Sequence, residues 1–266
     1  EPTPCVSDSM SESAAVFGGL SNMKEGLLNC KVMYKPDMIA VSTTCMAEVI
    51  GDDLHAFTIG ARAEANGELD DTLIPSAHTP SFVGSHITGY DNMMRSILEQ
   101  TVPENTEKVV DKERINIIPG FEPYIGSLRE VKKIASMFSD KIVMIGDHAD
   151  QWDTPAGEYQ MFSGGTSLED LKTSRNAGTS ISLQKYSTIN TGKLLKNIWK
   201  QKYLTLNPIG LSGTDEFVMA LSELTGKEVP AELKLQRGRL VDAMQDSYPY
   251  MHGKKFAIWG DPDFLL

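Results

Sequence analysis

The chain has 266 residues, of which 41% are hydrophobic and 23% charged, a composition typical of a soluble globular protein with two domains or slightly more. Its 36 acidic residues outnumber 25 basic ones and give a formal charge of −11, a field that repels phosphate backbones, so we expect no nucleic-acid partner. The sequence also lacks an apolar run of about 20 residues, the length that a membrane span needs, so we expect no membrane partner.

Cysteine usage indicates a reducing compartment. The chain has three cysteines, Cys5, Cys30 and Cys45, which are too few and too scattered for a disulfide framework. Residues 1–4 carry no basic stretch that leads into an apolar one, so we expect no signal peptide and a cytoplasmic location. No Cys-x-x-Cys pair occurs, so an iron–sulfur cluster would have to be shared with another chain.

The first part of the chain predicts the start of an α/β protein. A helix is expected over 22–34, with Asn22 and Glu25 spaced as a capping box. A buried strand over 38–42 then leads into a helix over 45–57. The other predicted elements of this part are a polar loop over 60–76, a helix over 89–99 and a charged junction over 101–113.

Short apolar runs alternate with helical patterns in the remainder, which favours a parallel sheet. A strand over 115–118 ends at Pro119, and Ser127 is expected to cap a helix that runs through Phe138. The further predicted elements are a strand over 141–146, a loop over 151–166, a helix over 167–177, a strand over 180–183, helices over 190–202, 214–224 and 231–248, and a strand over 256–260.

The predicted fold is α/β, with Rossmann-like parallel-sheet domains and flanking helices. We expect part of a first α/β domain over 1–110, a second α/β domain over 111–206, and helices with the start of a further α/β domain over 207–266. Because the chain begins without Met and stops just after a predicted strand, we expect it to be a piece of a longer protein.

Cys45 stands where chemistry is expected in this fold. It lies between the carboxyl end of a predicted strand and the amino end of a predicted helix, where open α/β sheets bind ligands. A helix dipole at that place lowers the pKa of a thiol and favours the thiolate that binds metal. A buried and inert cysteine fits the spacing alone equally well.

Several segments resemble the β subunits of nitrogenase molybdenum–iron proteins. The stretch around Cys45 is Ser-Thr-Thr-Cys-Met-Ala-Glu over 42–48, and Ala-His-Thr-Pro-Ser-Phe follows over 77–82. The resemblance continues at 9–10, 16–19, 35–39, 80–92, 119–121, 153–155, 164–166, 237–242, 252–254 and 259–264. The stretch 58–74 shows little resemblance, a difference that a surface loop absorbs.

The resemblance implies that Cys45 is a ligand of the P-cluster, an 8Fe-7S cluster shared between the α and β subunits. Ser81 matches a serine whose oxygen can bind a cluster iron in the oxidised state, because a hydroxyl that gives up its proton can follow the charge of the cluster. Without the family, Ser81 would be interpreted as a turn serine after Pro80. The family's two other β-subunit cluster cysteines have no counterpart in this sequence.

A divalent-cation site at the contact between two β subunits is also implied. Asp242 and Asp246 are spaced so that both carboxylates fall on one face of a predicted helix. From spacing alone this is a solvated acidic face. The resemblance adds Glu1 as a third ligand and implies Ca or Fe as the ion.

The family further implies a docking face for the iron protein at Phe17, Val49 and Ile50. An aromatic side chain among small residues is a reasonable interface anchor. Core packing is the alternative, particularly for Val49.

The implied function is that of a β subunit in an α2β2 oxidoreductase that reduces dinitrogen to ammonia. Electrons would arrive from the ATP-hydrolysing iron protein, pass through the P-cluster and reach the iron–molybdenum cofactor held by the α subunit. This chain would relay electrons and contribute no catalytic residue. It contains no phosphate-binding glycine loop, so nucleotide hydrolysis is assigned to a partner. The alternatives are a paralogous scaffold for assembly of the iron–molybdenum cofactor and the β subunit of a vanadium or iron-only nitrogenase.

Overall fold

The computed structural model describes residues 4–8, 12, 16, 18–102, 107–152 and 164–265. Its helices are α1 (Leu20–Tyr34), α2 (Cys45–Ile50), α3 (Leu54–Glu64), α4 (His86–Thr101), α5 (Ile125–Phe138), α6 (Ala149–Trp152), α7 (Leu168–Thr173), α8 (Ile189–Lys193), α9 (Gly210–Thr225) and α10 (Ala231–Met251). Its strands are β1 (Val41–Ser42), β2 (Ser76–Ala77), β3 (Asp111–Ile118), β4 (Ile142–Met144), β5 (Ala177–Ser182) and β6 (Lys202–Thr205). Short 3₁₀ turns at Ser174–Asn176 and Pro262–Phe264 and a π segment at Leu194–Ile198 complete the described elements.

Four strands form a parallel sheet in the order β4-β3-β5-β6. Alternate side chains of β3 are buried on opposite faces, as a strand covered on both sides requires. Ile115 and Ile117 pack with the apolar sides of α5, α9 and α10, whereas Ile118 packs with α4, α7 and the π segment. The predicted α/β class with parallel sheets is therefore confirmed.

A second, two-stranded sheet joins β1 to β2, also in parallel. Val41 pairs with Ser76 and Ser42 with Ala77, and a single bridge between Met38 and Leu73 precedes them. Only the last two residues of the strand predicted over 38–42 are regular, because the partner strand is equally short. Apolar side chains of α1 and α3 form a small core beside this sheet.

The helix predicted over 45–57 is two helices, because Gly51 breaks it. Gly51 adopts a φ of 83° and ends α2, and its backbone N–H donates to carbonyls of that helix. The carboxylate of Asp53 then accepts the backbone N–H groups of His55 and Ala56 and starts α3. Glycine is favoured at Gly51 because other residues are strained in the left-handed region.

Gly51→Ala is expected to lower the free energy of unfolding by about 1 kcal/mol, since the new methyl group has open space but its backbone is strained. Gly126→Ala is the matched control, because Gly126 lies in the first turn of α5 and a methyl group there also meets open space. This control is expected to stabilise the protein by up to about 0.5 kcal/mol. Urea unfolding of both variants measures the difference, and shifts of the same sign would contradict the prediction.

Both predicted capping residues were wrong. Helix α1 begins at Leu20 after Gly19, so Asn22 lies inside its first turn and the expected capping box is not the start of the helix. Helix α5 begins at Ile125 after Tyr124, so Ser127 lies inside the helix. In α5, Ile125 packs against the core, so the apolar face extends further toward the amino end than the polar cap signal suggested.

The largest errors of the sequence prediction lie in the last part of the chain. The helix predicted over 190–202 ends early, and Lys202–Thr205 forms β6, which the prediction missed. The strand predicted over 256–260 is irregular in the structure, where Ile258 is 77% and Trp259 is 96% exposed. A strand needs a hydrogen-bonding neighbour, and none of the described strands pairs with this segment. No helix among the described residues is long and apolar enough to cross a membrane.

Candidate functional site

The structure brings Cys45 and Ser81 together. Cys45 follows β1 at the start of α2, and Ser81 follows β2. Because the two strands are parallel, their carboxyl ends open at the same edge of the small sheet. The Sγ atom of Cys45 lies 2.8 Å from the Oγ atom of Ser81, and the backbone N–H of Ser81 donates to the same sulfur at 3.3 Å. Ser81 is exposed and Cys45 is partly exposed.

The pKa of the Cys45 thiol is lowered, chiefly by the hydrogen bond from the Ser81 side chain and next by the one from its backbone N–H. The direction agrees with the sequence analysis, but the cause differs. Helix α2 has only six residues, and hydrogen bonds from Ser81, more than the helix dipole, stabilise the thiolate form of Cys45. Ser81 therefore favours the form of Cys45 that binds metal.

The thiol chemistry of cluster-free protein should reflect this contact. Iodoacetamide is expected to alkylate Cys45 with a lower pH midpoint than Cys30, because burial and the negative charge of Asp8 raise the pKa of Cys30. Ser81→Ala is expected to raise the midpoint of Cys45 and to leave that of Cys30 unchanged. Site-resolved mass spectrometry over a pH series measures both midpoints in one sample. A Cys45 midpoint at or above that of Cys30 would contradict the prediction.

A hydrogen-bonded network lies next to this pair, and the sequence analysis missed it. The Glu48 carboxylate accepts from the hydroxyl of Thr43 and from Nδ1 of His78, the latter at 2.6 Å. Burial raises the pKa of Glu48, but the hydrogen bonds from Thr43 and His78 outweigh burial and lower it. Nothing in the spacing of these residues predicts the contact between Glu48, which lies on α2 after β1, and His78, which follows β2.

Several apolar residues that neighbour Cys45 or Ser81 in sequence are exposed to solvent. Met46, Phe82 and Val83 are between 51% and 61% exposed, and Val49 is 76% exposed. Ile50 is partly buried. The exposure of Val49 argues against the core-packing alternative. Phe17, the third expected docking residue, lies outside the described residues.

Of the three residues expected to bind a divalent cation, the structure describes Asp242 and Asp246. Asp242 and Asp246 lie one turn apart on α10, and both are exposed. Glu1 lies outside the described residues. Over the part of the chain that the structure describes, no group of three or more His, Cys, Asp or Glu side chains could hold a metal ion.

The carboxyl edge of the larger sheet is filled by the chain's own carboxylates. Asp263 is 2% exposed, and its carboxylate accepts the backbone N–H groups of residues 185, 186 and 187 at 2.6 to 2.9 Å. Asp91 is equally buried and accepts the backbone N–H groups of Asn190 and Thr191. These groups follow β5, next to the central strand β3, at the position where α/β sheets commonly bind anions.

A groove of about 720 Å³ lies between α5, α9 and α10. Its lining is mainly apolar and includes neither Cys45 nor Ser81. The chemistry of the donor atoms, and not the volume of the cavity, therefore places the candidate site at the small sheet.

Fold and site together define a parallel α/β protein that presents a thiol and a hydroxyl side by side at the edge of its smaller sheet. A family model described as "Nitrogenase component 1 type Oxidoreductase" matches residues 1–266. The chain belongs to this family.

Individual relatives agree with the family match. The chain is 52% identical over 267 residues to a nitrogenase molybdenum-iron protein beta chain of Nostoc sp. (strain PCC 7120), with 100% of this chain and 52% of that protein covered. It is 51% identical over 271 residues to the protein of the same name from Azotobacter vinelandii, covering 100% of this chain and 51% of that protein. A solved structure named "Nitrogenase Cp1 at pH 6.5" superposes with a TM-score of 0.88 and 42% identity, over 97% of this chain and 56% of that one. The chain thus spans about half the length of these relatives.

Proposed function

We propose that this chain is part of the β subunit of a nitrogenase molybdenum–iron protein, in which Cys45 and Ser81 help to hold a P-cluster (8Fe-7S) shared with the α subunit. The observation that carries the proposal is the 2.8 Å separation of Cys45 Sγ and Ser81 Oγ at the edge of the small sheet. The relatives named as molybdenum-iron protein beta chains support the same assignment.

The two donor atoms fit a shared iron–sulfur cluster. Thiolates are the usual ligands of such clusters, and an oxygen that has lost its proton is a harder donor that suits a more oxidised iron. A pair of donors is too few for a complete site, which agrees with a cluster completed by another subunit. The exposed apolar side chains of Met46, Phe82 and Val83 are the kind of surface that the core of a subunit interface buries.

The cluster, when bound, would supply one-electron transfer between redox partners. The chain's own residues would set its surroundings. The backbone N–H of Ser81 donates to Cys45 Sγ and favours the thiolate, and the Ser81 hydroxyl holds a proton that it can release. An apolar rim that a partner covers would keep water away from both atoms.

The partners follow from the same assignment. The iron protein, which hydrolyses ATP, would dock at a face that includes Phe17, Val49 and Ile50 and would deliver electrons to the P-cluster. The α subunit would hold the iron–molybdenum cofactor, at which dinitrogen is reduced to ammonia. The assembly would be an α2β2 heterotetramer in the cytoplasm.

The two β subunits would share a divalent cation, Ca or Fe, through Asp242, Asp246 and Glu1. The exposure of both aspartates on consecutive turns of α10 supports a site completed across an interface. We further propose that 1–110, 111–206 and 207–266 correspond to three domain segments, the second of which contains the four-stranded sheet.

Ammonia formation by the full-length protein tests the proposed function. The protein is co-purified anaerobically with its α partner and supplied with iron protein and ATP. Reduction of dinitrogen by the molybdenum-containing complex is the expected result. A complex that is loaded with metal clusters but reduces no dinitrogen would replace the proposal with an assembly scaffold, and activity with vanadium or iron alone would indicate an alternative nitrogenase.

A further inference from the structure

Glu48 connects the two loops that carry Cys45 and Ser81. It lies in the first turn of α2, and one carboxylate oxygen, Oε1, accepts from both the Thr43 hydroxyl and Nδ1 of His78. A carboxylate only accepts hydrogen bonds, so Nδ1 of His78 carries the proton. Thr43 precedes Cys45 by two positions, and His78 precedes Ser81 by three.

Thr43 extends this connection into the backbone of the second loop. Its hydroxyl accepts the backbone N–H of Thr79 at 2.9 Å, and its carbonyl accepts the hydroxyl of Thr79 at 3.0 Å. Thr43 is only 6% exposed, so these bonds are shielded from water and are stronger than similar surface contacts. Together with the bonds to Glu48, they form what we name the loop brace: Thr43, Glu48, His78 and Thr79.

The small sheet does not hold the two loops by itself. Its strands have two residues each, and the regular pairing ends at Ser42 and Ala77. Beyond that point the two segments are aligned by a backbone hydrogen bond from Thr43 N–H to the Ala77 carbonyl, by the contacts of the loop brace and by those between Cys45 and Ser81. An ordinary surface ion pair joins two side chains only. Glu48 instead accepts from a buried donor that follows β1, Thr43, and from an exposed donor that follows β2, His78.

We propose that Glu48 is a positioning residue, which acts through Thr43 and His78 to hold Ser81 beside Cys45. The inference rests on the proposed P-cluster role of these two residues. A loosened loop would displace the Ser81 oxygen from Cys45, and because Ser81 is a proposed cluster donor, this would shift the midpoint potential of the cluster. The effect of removing Glu48 would then require Ser81.

The test compares full-length complexes purified with the α partner and loaded with clusters. Iron content, the spectrum of the oxidised P-cluster and its midpoint potential are measured for wild type, Ser81→Ala, Glu48→Ala and the double variant. Glu48→Ala is expected to retain iron and to shift the potential in the same direction as Ser81→Ala. The double variant is expected to match Ser81→Ala alone, because residues that act through one group are not additive.

Glu48→Gln is the conservative variant, since its amide oxygen can accept the same two hydrogen bonds, and it is expected to restore the wild-type potential. Glu64→Ala is the matched control, because Glu64 is an exposed glutamate at the end of α3 whose ion pair joins it to Lys24 of α1. Should Glu48→Ala fail to assemble, His78→Ala removes one arm of the loop brace at a side chain that is 60% exposed, and the same shift is expected.

The outcomes separate this inference from the proposed function. A wild-type complex without a P-cluster spectrum would overturn the proposed function itself. A wild-type spectrum that changes in Ser81→Ala but not in Glu48→Ala or His78→Ala would overturn only the role of Glu48. Additive shifts in the double variant would also overturn it, because Glu48 would then act independently of Ser81.

Discussion

Cys45→Ala in the full-length complex is expected to lower ammonia formation by more than about 100-fold, since loss even of an outer-shell partner costs a metal site 10- to 100-fold. The thiolate of Cys45 is a direct ligand in the proposed site, whereas Cys30 lies on α1. The iron content and the P-cluster spectrum should fall with the activity. Assembly with the α partner should persist, because Cys45 is partly exposed and belongs to none of the buried core clusters.

Cys30→Ala is the matched control for this experiment. It removes a thiol of the same chain that has no proposed ligand role, and activity and iron content are expected to stay near wild type. Size-exclusion chromatography with the α partner checks that both variants assemble. An assembled Cys45→Ala complex with wild-type activity would contradict the proposal that Cys45 holds the cluster that relays electrons.

The alternation of helices and strands could be predicted from sequence because it follows local periodicity. Three of the four residues Ile115–Ile118 are isoleucine, and the apolar positions of α5 recur at helical spacing, so both elements were found. The exact ends of the helices and strands were harder to predict from sequence. Gly51 divides one predicted helix into two through a backbone conformation that periodicity does not report, although Gly51 followed by Asp52 and Asp53 is a recognisable stop and start signal.

Spacing alone did not identify the candidate site. The residues on either side of Cys45 fit an inert cysteine as well as a ligand, and the pairing with Ser81 came from the family resemblance. The structure supplies the physical reason for the pairing, because the register of β1 and β2 places both loops at one edge. Register joins residues that are far apart in sequence, and local patterns carry no record of it.

The same limit explains why the loop brace and the buried carboxylates were missed. Glu48 and His78 are 30 positions apart, and Asp263 lies 78 positions after Lys185. Each looks like an ordinary surface residue in its own segment. Their roles depend on which loops the sheets bring together.

Asp263→Ala is expected to lower the free energy of unfolding by about 3 kcal/mol, because a buried, charged hydrogen-bond acceptor is lost and its donors are left unsatisfied. Three successive backbone N–H groups, of residues 185 to 187, donate to this carboxylate at a site that is 2% exposed. Urea unfolding of the variant and wild type measures the change.

Asp261→Ala is the matched control, two residues away. Asp261 pairs with His86 at 3.1 Å, but the His86 side chain is 54% exposed, so this surface pair is expected to contribute less than about 1 kcal/mol. If Asp263→Ala lowers the free energy of unfolding no more than Asp261→Ala does, the prediction that Asp263 stabilises the loop after β5 is contradicted. Asp263 and Asp91 occupy the strand-end positions beside β5. The donor atoms Cys45 Sγ and Ser81 Oγ instead stand at the edge of the smaller sheet, where Ser81 is exposed and Cys45 partly exposed.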